Sequence, residues 1–125
     1  MRPEDWARQP GQNDAMERAI AVSHDTVGST GIYASVVTTQ PGGTSRVHHH
    51  GDCETSIYVL GGRARFTWGI TGVEDTFDAE AGDIVYIPAH ELHVEENASA
   101  LDPLVVLVTR NCAEALTIYP DGQMP

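Results

Sequence analysis

The chain contains no lysine, and all 7 of its basic residues are arginine. Schiff-base catalysis and lysine general-base chemistry are thereby excluded. Positive charge is scarce altogether: 7 arginines face 18 aspartates and glutamates, for a net charge of -11 at pH 7. Such a chain repels a phosphate backbone and offers no basic patch to release counterions, so no nucleic-acid partner is expected. Long hydrophobic runs are also missing. Apolar residues fall in short stretches broken by Gly, Pro, Asp and Asn, none approaching the roughly 20 residues that span a bilayer, so no membrane partner is expected. The N-terminal stretch MRPEDWARQPGQNDAMERA lacks both the apolar centre of a secretory signal and the acid-poor character of a transit peptide, which leaves a cytoplasmic location as the expectation. Cysteine is limited to Cys53 and Cys112. Nothing in the composition points to an oxidising compartment, so both read as free thiols.

At 125 residues the chain suits one domain with a real hydrophobic core and is too short for two. Residues 1–17 read as a solvated N-terminal arm anchored by Trp6, with Pro10-Gly11 halting any helical turn begun before them. The remainder, 18–125, reads as a single barrel domain. Short runs rich in β-branched and aromatic residues predict strands at 19–23, 31–39, 46–50, 54–60, 63–70, 75–79, 83–88, 93–97 and 103–110, with a last one near 115–119. Turn signals such as Gln40-Pro41-Gly42-Gly43, Gly61-Gly62 and Ala81-Gly82 separate them. No amphipathic helix of useful length competes, so the fold class is all-β, an antiparallel sandwich or small barrel.

Against this background one stretch stands out. Three consecutive histidines, His48, His49 and His50, precede Glu54 within seven residues. Neutral imidazoles and carboxylates are ligands for divalent transition metals. Side chains alternate faces along a strand, so His48 and His50 share one side and His49 takes the other. A reversal through Gly51-Asp52-Cys53 would bring Glu54 beside them, and a further ligand can come from the segment containing His90 and His93. The competing reading is a polar loop with a solvent-facing histidine run.

In these two segments the chain resembles the cupins. The first motif of that family is glycine, five residues, His-x-His, three or four residues, glutamate, six residues, glycine; here it reads Gly42, His48, His50, Glu54 and Gly61. The second is glycine, five residues, proline, one residue, glycine, two residues, histidine, three residues, asparagine. Here it reads Gly82, Pro88, His93 and Asn97, with His90 standing where the motif has glycine. The resemblance implies a double-stranded β-helix, or jelly-roll, barrel. It also implies one divalent metal ion per chain, iron, zinc, manganese or nickel, held by His48, His50, Glu54 and His93 with two positions open. Cupin habit implies a homodimer. The departure at His90 bears on the local turn, since histidine accepts some glycine conformations less readily; the side chain itself reads as a surface residue or a residue at the pocket mouth.

Strand parity puts Ser56 and Tyr58 on the face of Glu54, so Tyr58 is a candidate to hydrogen-bond a bound oxyanion or transfer a proton, with packing as the alternative. Arg46 shares the parity of His48 and His50, and either binds a substrate carboxylate or sits on a solvated rim. Glu91, Glu95, Glu96 and Asp52 read as solvated charges. The resemblance implies a metal-dependent enzyme acting on a small-molecule substrate, by dioxygenation or by Lewis-acid rearrangement or cyclisation, in bacterial metabolism including natural-product pathways. Two alternatives accompany it. One is a zinc cupin working with a separate partner protein in hydrazine formation, and the other is a binding module that turns over nothing.

Overall fold

A computed structural model describes residues 1–70 and 72–125. Among the described residues nine strands carry the fold: β1 (Ala7–Pro10), β2 (Met16–Val22), β3 (Tyr33–Thr39), β4 (Thr55–Gly61), β5 (Arg63–Trp68), β6 (Asp75–Glu80), β7 (Ile84–Ile87), β8 (His93–Asn97) and β9 (Leu104–Arg110). One turn of helix, α1 (His24–Val27), follows β2. Its N-terminus is capped by the Ser23 side chain, which accepts from the Thr26 amide, and it ends at Gly28 in the left-handed conformation. The strands form a six-stranded sheet in the order β1-β2-β3-β9-β4-β7 and a three-stranded sheet in the order β6-β5-β8, antiparallel throughout. The structure is therefore the jelly-roll barrel that the sequence predicts.

The core follows from alternation. Along β4, Thr55, Ile57 and Val59 are buried while Tyr58 and Leu60 face out; along β9, Leu104, Val106 and Val108 are buried. Ala64 and Phe66 of β5 meet these residues from the second sheet, and the Phe66 ring stacks on Phe77 with centroids 5.4 Å apart. Each fully buried side chain of this size contributes about 1.5–3 kcal/mol of transfer free energy. At the turn between β4 and β5, Gly62 takes φ 82°, and a Cβ there would overlap the Pro103 carbonyl, so glycine is required.

Three expectations need correction. Residues 1–17 do not stand off as an arm: Ala7–Pro10 pairs with β2, and Met16 is a buried core residue. This N-terminal strand pairs with β2 over Ala7–Pro10 and becomes the edge of the large sheet. The segments 46–50 and 115–119 are not strands but lie opposite neighbours through isolated bridges, His48 with His93 and His49 with Ile118. Finally, Cys53 and Cys112 are bonded to each other, with Cα atoms 5.8 Å apart. The reason is register. Thr55 pairs with Arg110 across β4 and β9, so the same ladder carried outward sets Cys53 opposite Cys112.

Candidate metal centre

The bridge between His48 and His93 brings the two motifs together. Their backbones exchange both hydrogen bonds, the His48 amide donating to the His93 carbonyl at 3.1 Å and the His93 amide to the His48 carbonyl at 2.9 Å. Alternation then sends His48 and His50 inward, where both are buried beside His93. Each imidazole donates Nδ1–H to a backbone carbonyl: His48 to Arg46 at 2.7 Å, His50 to Leu116 at 2.7 Å and His93 to Glu91 at 2.8 Å. A carbonyl only accepts, so a neutral ring must carry its proton on Nδ1 and present the Nε2 lone pair to the interior. The three ligand atoms lie within 4.8 Å of one another.

Burial keeps these rings neutral. Desolvation is the largest cause for all three, followed by the neighbouring His93 for His48 and by the Arg110 guanidinium for His50: His48 is pushed down to about 3, His93 to about 4, and His50 is pushed down with them. Three neutral imidazoles aimed at one point fit a divalent transition ion, leaving the remaining positions open as in a catalytic site.

Glu54 is not among them. Its carboxylate is exposed and accepts from the Tyr86 hydroxyl at 2.6 Å and from Asn111 Nδ2 at 3.1 Å. The cause is parity: Thr55, Ile57 and Val59 are the inward set of β4, so Glu54 shares the outward face with Tyr58. Tyr58 accordingly keeps its parity with Glu54 but lies outside the barrel, 40% exposed. Arg46 is exposed as well, its guanidinium 3.7 Å over the Tyr119 ring. His49 is directed away from the trio and accepts from the Gly51 amide. His90 adopts φ 62°, the left-handed conformation that glycine would take there, and its Nε2 lies 2.6 Å from Asp52 at the surface.

The interior holds residues that the sequence reading placed elsewhere or passed over. Glu95, expected on the surface, is 9% exposed, and burial raises its pKa to about 7 against the opposing pull of Arg110. Arg110 lies 5.1 Å over the Tyr33 ring and donates Nε–H to Thr55 Oγ1 at 3.3 Å; burial lowers it to about 10. A cavity of about 30 Å³ is lined by His48, His50, Ser35, Glu95 and Arg110, with Gln12 of the N-terminal segment among the residues closing it. The signal for Glu95 was present in HVEEN, where it has the parity of His93. The signal for Arg110 lay in LVVLVTR, where it continues the inward set of Leu104, Val106 and Val108.

Residues 35–110 match the cupin domain model. Oxalate decarboxylase OxdC of Bacillus subtilis is 32% identical over 101 residues, covering 80% of this chain and 26% of the relative. A solved structure of Bacillus subtilis oxalate decarboxylase, a protein with Mn(II) centres, superposes with a TM-score of 0.78 at 28% identity over 90% of this chain and 30% of that one. The formate complex of the Lactobacillus farciminis enzyme shares the fold, with a TM-score of 0.80 at 24% identity over 94% of this chain and 34% of that one. The chain thus spans about a quarter to a third of the length of these relatives. No helix among the described residues is long and apolar enough to cross a membrane. With both motifs folded together around the histidine trio and the domain match covering more than half its length, the chain belongs to the cupin family.

Proposed function

We propose that this cupin is a metal-dependent enzyme acting on a small organic acid, with His48, His50 and His93 holding one divalent transition ion. The observation that carries the reading is the convergence of three buried Nε2 lone pairs on one point beside a cavity that Ser35, Glu95 and Arg110 help to line. When bound, the ion would act as a Lewis acid that polarises a substrate oxygen. Among the four metals considered, an all-imidazole set favours zinc, iron or nickel over manganese, which prefers carboxylate and water ligands. The oxalate decarboxylases among the relatives support a small-acid substrate and bond cleavage or rearrangement over dioxygenation.

The chain's own residues supply the setting. The carbonyls of Arg46, Leu116 and Glu91 orient the three rings and fix their tautomers. Gln12, its side chain accepting from the Arg46 amide at 3.2 Å, helps shield the cavity from water. Elemental analysis of protein purified without added metal tests the assignment. We expect about one equivalent in the wild type and in Glu54→Ala, and loss of metal in His48→Ala and His93→Ala. Metal retained by both histidine variants would overturn the ligand set, and oxygen consumed in step with turnover would replace the Lewis-acid route by dioxygenation.

A further inference from the structure

The disulfide bears on one metal-site histidine from both sides. Cys53 closes the short turn that follows His50, and its amide donates to the His50 carbonyl at 3.1 Å. Cys112 lies in the irregular segment after β9, and further along that segment the Leu116 carbonyl accepts Nδ1–H from His50 at 2.7 Å. One covalent bond therefore ties the stretch that carries His50 to the stretch that orients its ring. Around Cys112 the second stretch has little other support. Residues 111–116 form no strand and none of them is fully buried, the mark of a segment that opens at low free energy. Beyond it, the His49 and Ile118 backbones exchange hydrogen bonds at 2.9 Å. The Leu116 and Ile118 side chains lie over Gly51, 3.1 Å and 3.4 Å from where a Cβ would stand. His48 and His93 are placed differently: their rings are held by the carbonyls of Arg46 and Glu91, next to the bridge that pairs the two histidines with each other.

We propose that the Cys53–Cys112 disulfide is a redox control on the metal centre, acting through His50 alone. While the bond is closed, the 111–116 segment is pinned at both ends, and the Leu116 carbonyl keeps the His50 proton on Nδ1 and the Nε2 lone pair free. A thiol reductant opens it. The S–S bond breaks, two electrons and two protons pass from two reductant thiols to the cysteines, and the reductant closes to its own disulfide. Cys112 is the less buried of the pair, so its sulfur is the one an attacking thiolate reaches. The segment then loses its anchor beside β9, and Leu116 no longer fixes the ring. Outer partners of a metal-ligating histidine are worth about 10–100-fold in metal affinity, so opening the bond weakens binding by a factor in that range. The consequence for metal rests on the metal-dependent reading; the link between the disulfide and the His50 ring rests on this chain alone.

Two measurements test the proposal. In metal-free protein at neutral pH, ¹H–¹⁵N spectra of the imidazoles report which nitrogen carries each proton. Dithiothreitol, or the double change Cys53→Ser and Cys112→Ser, should move His50 away from the Nδ1–H form and leave His48 and His93 in it. Titration with Co²⁺, followed by visible absorption, should then show about 10–100-fold weaker binding in the double variant than in the oxidised wild type. Circular dichroism checks the fold. If the opened chain does not fold, Leu116→Ala decides the matter with the disulfide intact: it removes the side chain over Gly51 and should move the His50 ring alone. An unmoved His50 in whichever of these chains folds, a change in all three rings together, or equal Co²⁺ affinity despite a moved His50 would overturn the proposal. A moved His50 in a chain that takes up Co²⁺ in neither state would instead overturn the metal-dependent reading and leave the link between disulfide and ring standing.

Discussion

Lowering the pH of the metal-free protein from 7 to 5 should destabilise it by several kilocalories per mole. An unfolded histidine titrates at 6.5, whereas folded His48 and His93 are pushed down to about 3 and about 4, and His50 is pushed down with them. Below pH 6.5 the unfolded chain therefore binds more protons than the folded one. Stability rises with pH across this window and is lost as the pH falls. Glu95 has the opposite sign: its pKa rises from 4.5 to about 7, so the folded chain holds the extra proton and loses stability as pH climbs through that range. At about 1.4 kcal/mol for each tenfold change in proton affinity, each histidine loses about 2 kcal/mol between pH 7 and pH 5, and Glu95 returns about 2 kcal/mol. The net loss is about 3–4 kcal/mol, a large part of a typical stability of roughly 5–15 kcal/mol. In urea, with a slope of about 1–3 kcal/mol per molar, the midpoint should fall by roughly 2 M. His93→Gln should remove about a third of the histidine contribution, and saturating divalent metal should steepen the pH dependence because protons and metal compete for the same nitrogens. A midpoint at pH 5 equal to or above that at pH 7, measured with chelator present, would refute the assignment of three buried neutral imidazoles.

Two further outcomes follow from the structure. Reduction, or the double change Cys53→Ser and Cys112→Ser, opens a loop of 59 residues, and chain-entropy arithmetic puts the loss at about 4 kcal/mol, readable as a lower urea midpoint in dithiothreitol. We also propose a homodimer through the outer face of β4 and β7, where Tyr58, Leu60, Ile84 and Tyr86 are 40–67% exposed beside a strand that pairs on one side only. Light scattering should give twice the chain mass for the wild type and a single chain for Leu60→Glu/Ile84→Glu; an unchanged mass in that variant would rule this face out.

The barrel was legible because its strands obey a period of two and its turns carry glycine, and the separation of His48 and His50 from His49 came from the same rule. The errors came from counting without a phase. The first motif tolerates three or four residues between histidine and glutamate, a one-residue ambiguity that selects opposite faces of β4. Glu54 satisfies the spacing yet falls on the outward face, and the positive φ at this turn falls on Gly62, one residue after the motif glycine at 61. Glu95 and Arg110 were misplaced or passed over because charge suggested solvent, although parity put each on the inward face. The disulfide depended on the pairing of strands about fifty residues apart, which local pattern does not encode.

That covalent link keeps a record of how the barrel was assembled. Cys53 and Cys112 meet only because β4 and β9 pair in one register. A slip of one residue would move one sulfur by about 3.3 Å along the ladder and turn it to the opposite face, and the same slip would exchange Glu54 for Thr55 at the inner wall. The bond and the lining of the chamber therefore depend on one register: in the pairing that sets Cys53 opposite Cys112, Thr55 and not Glu54 faces the histidines.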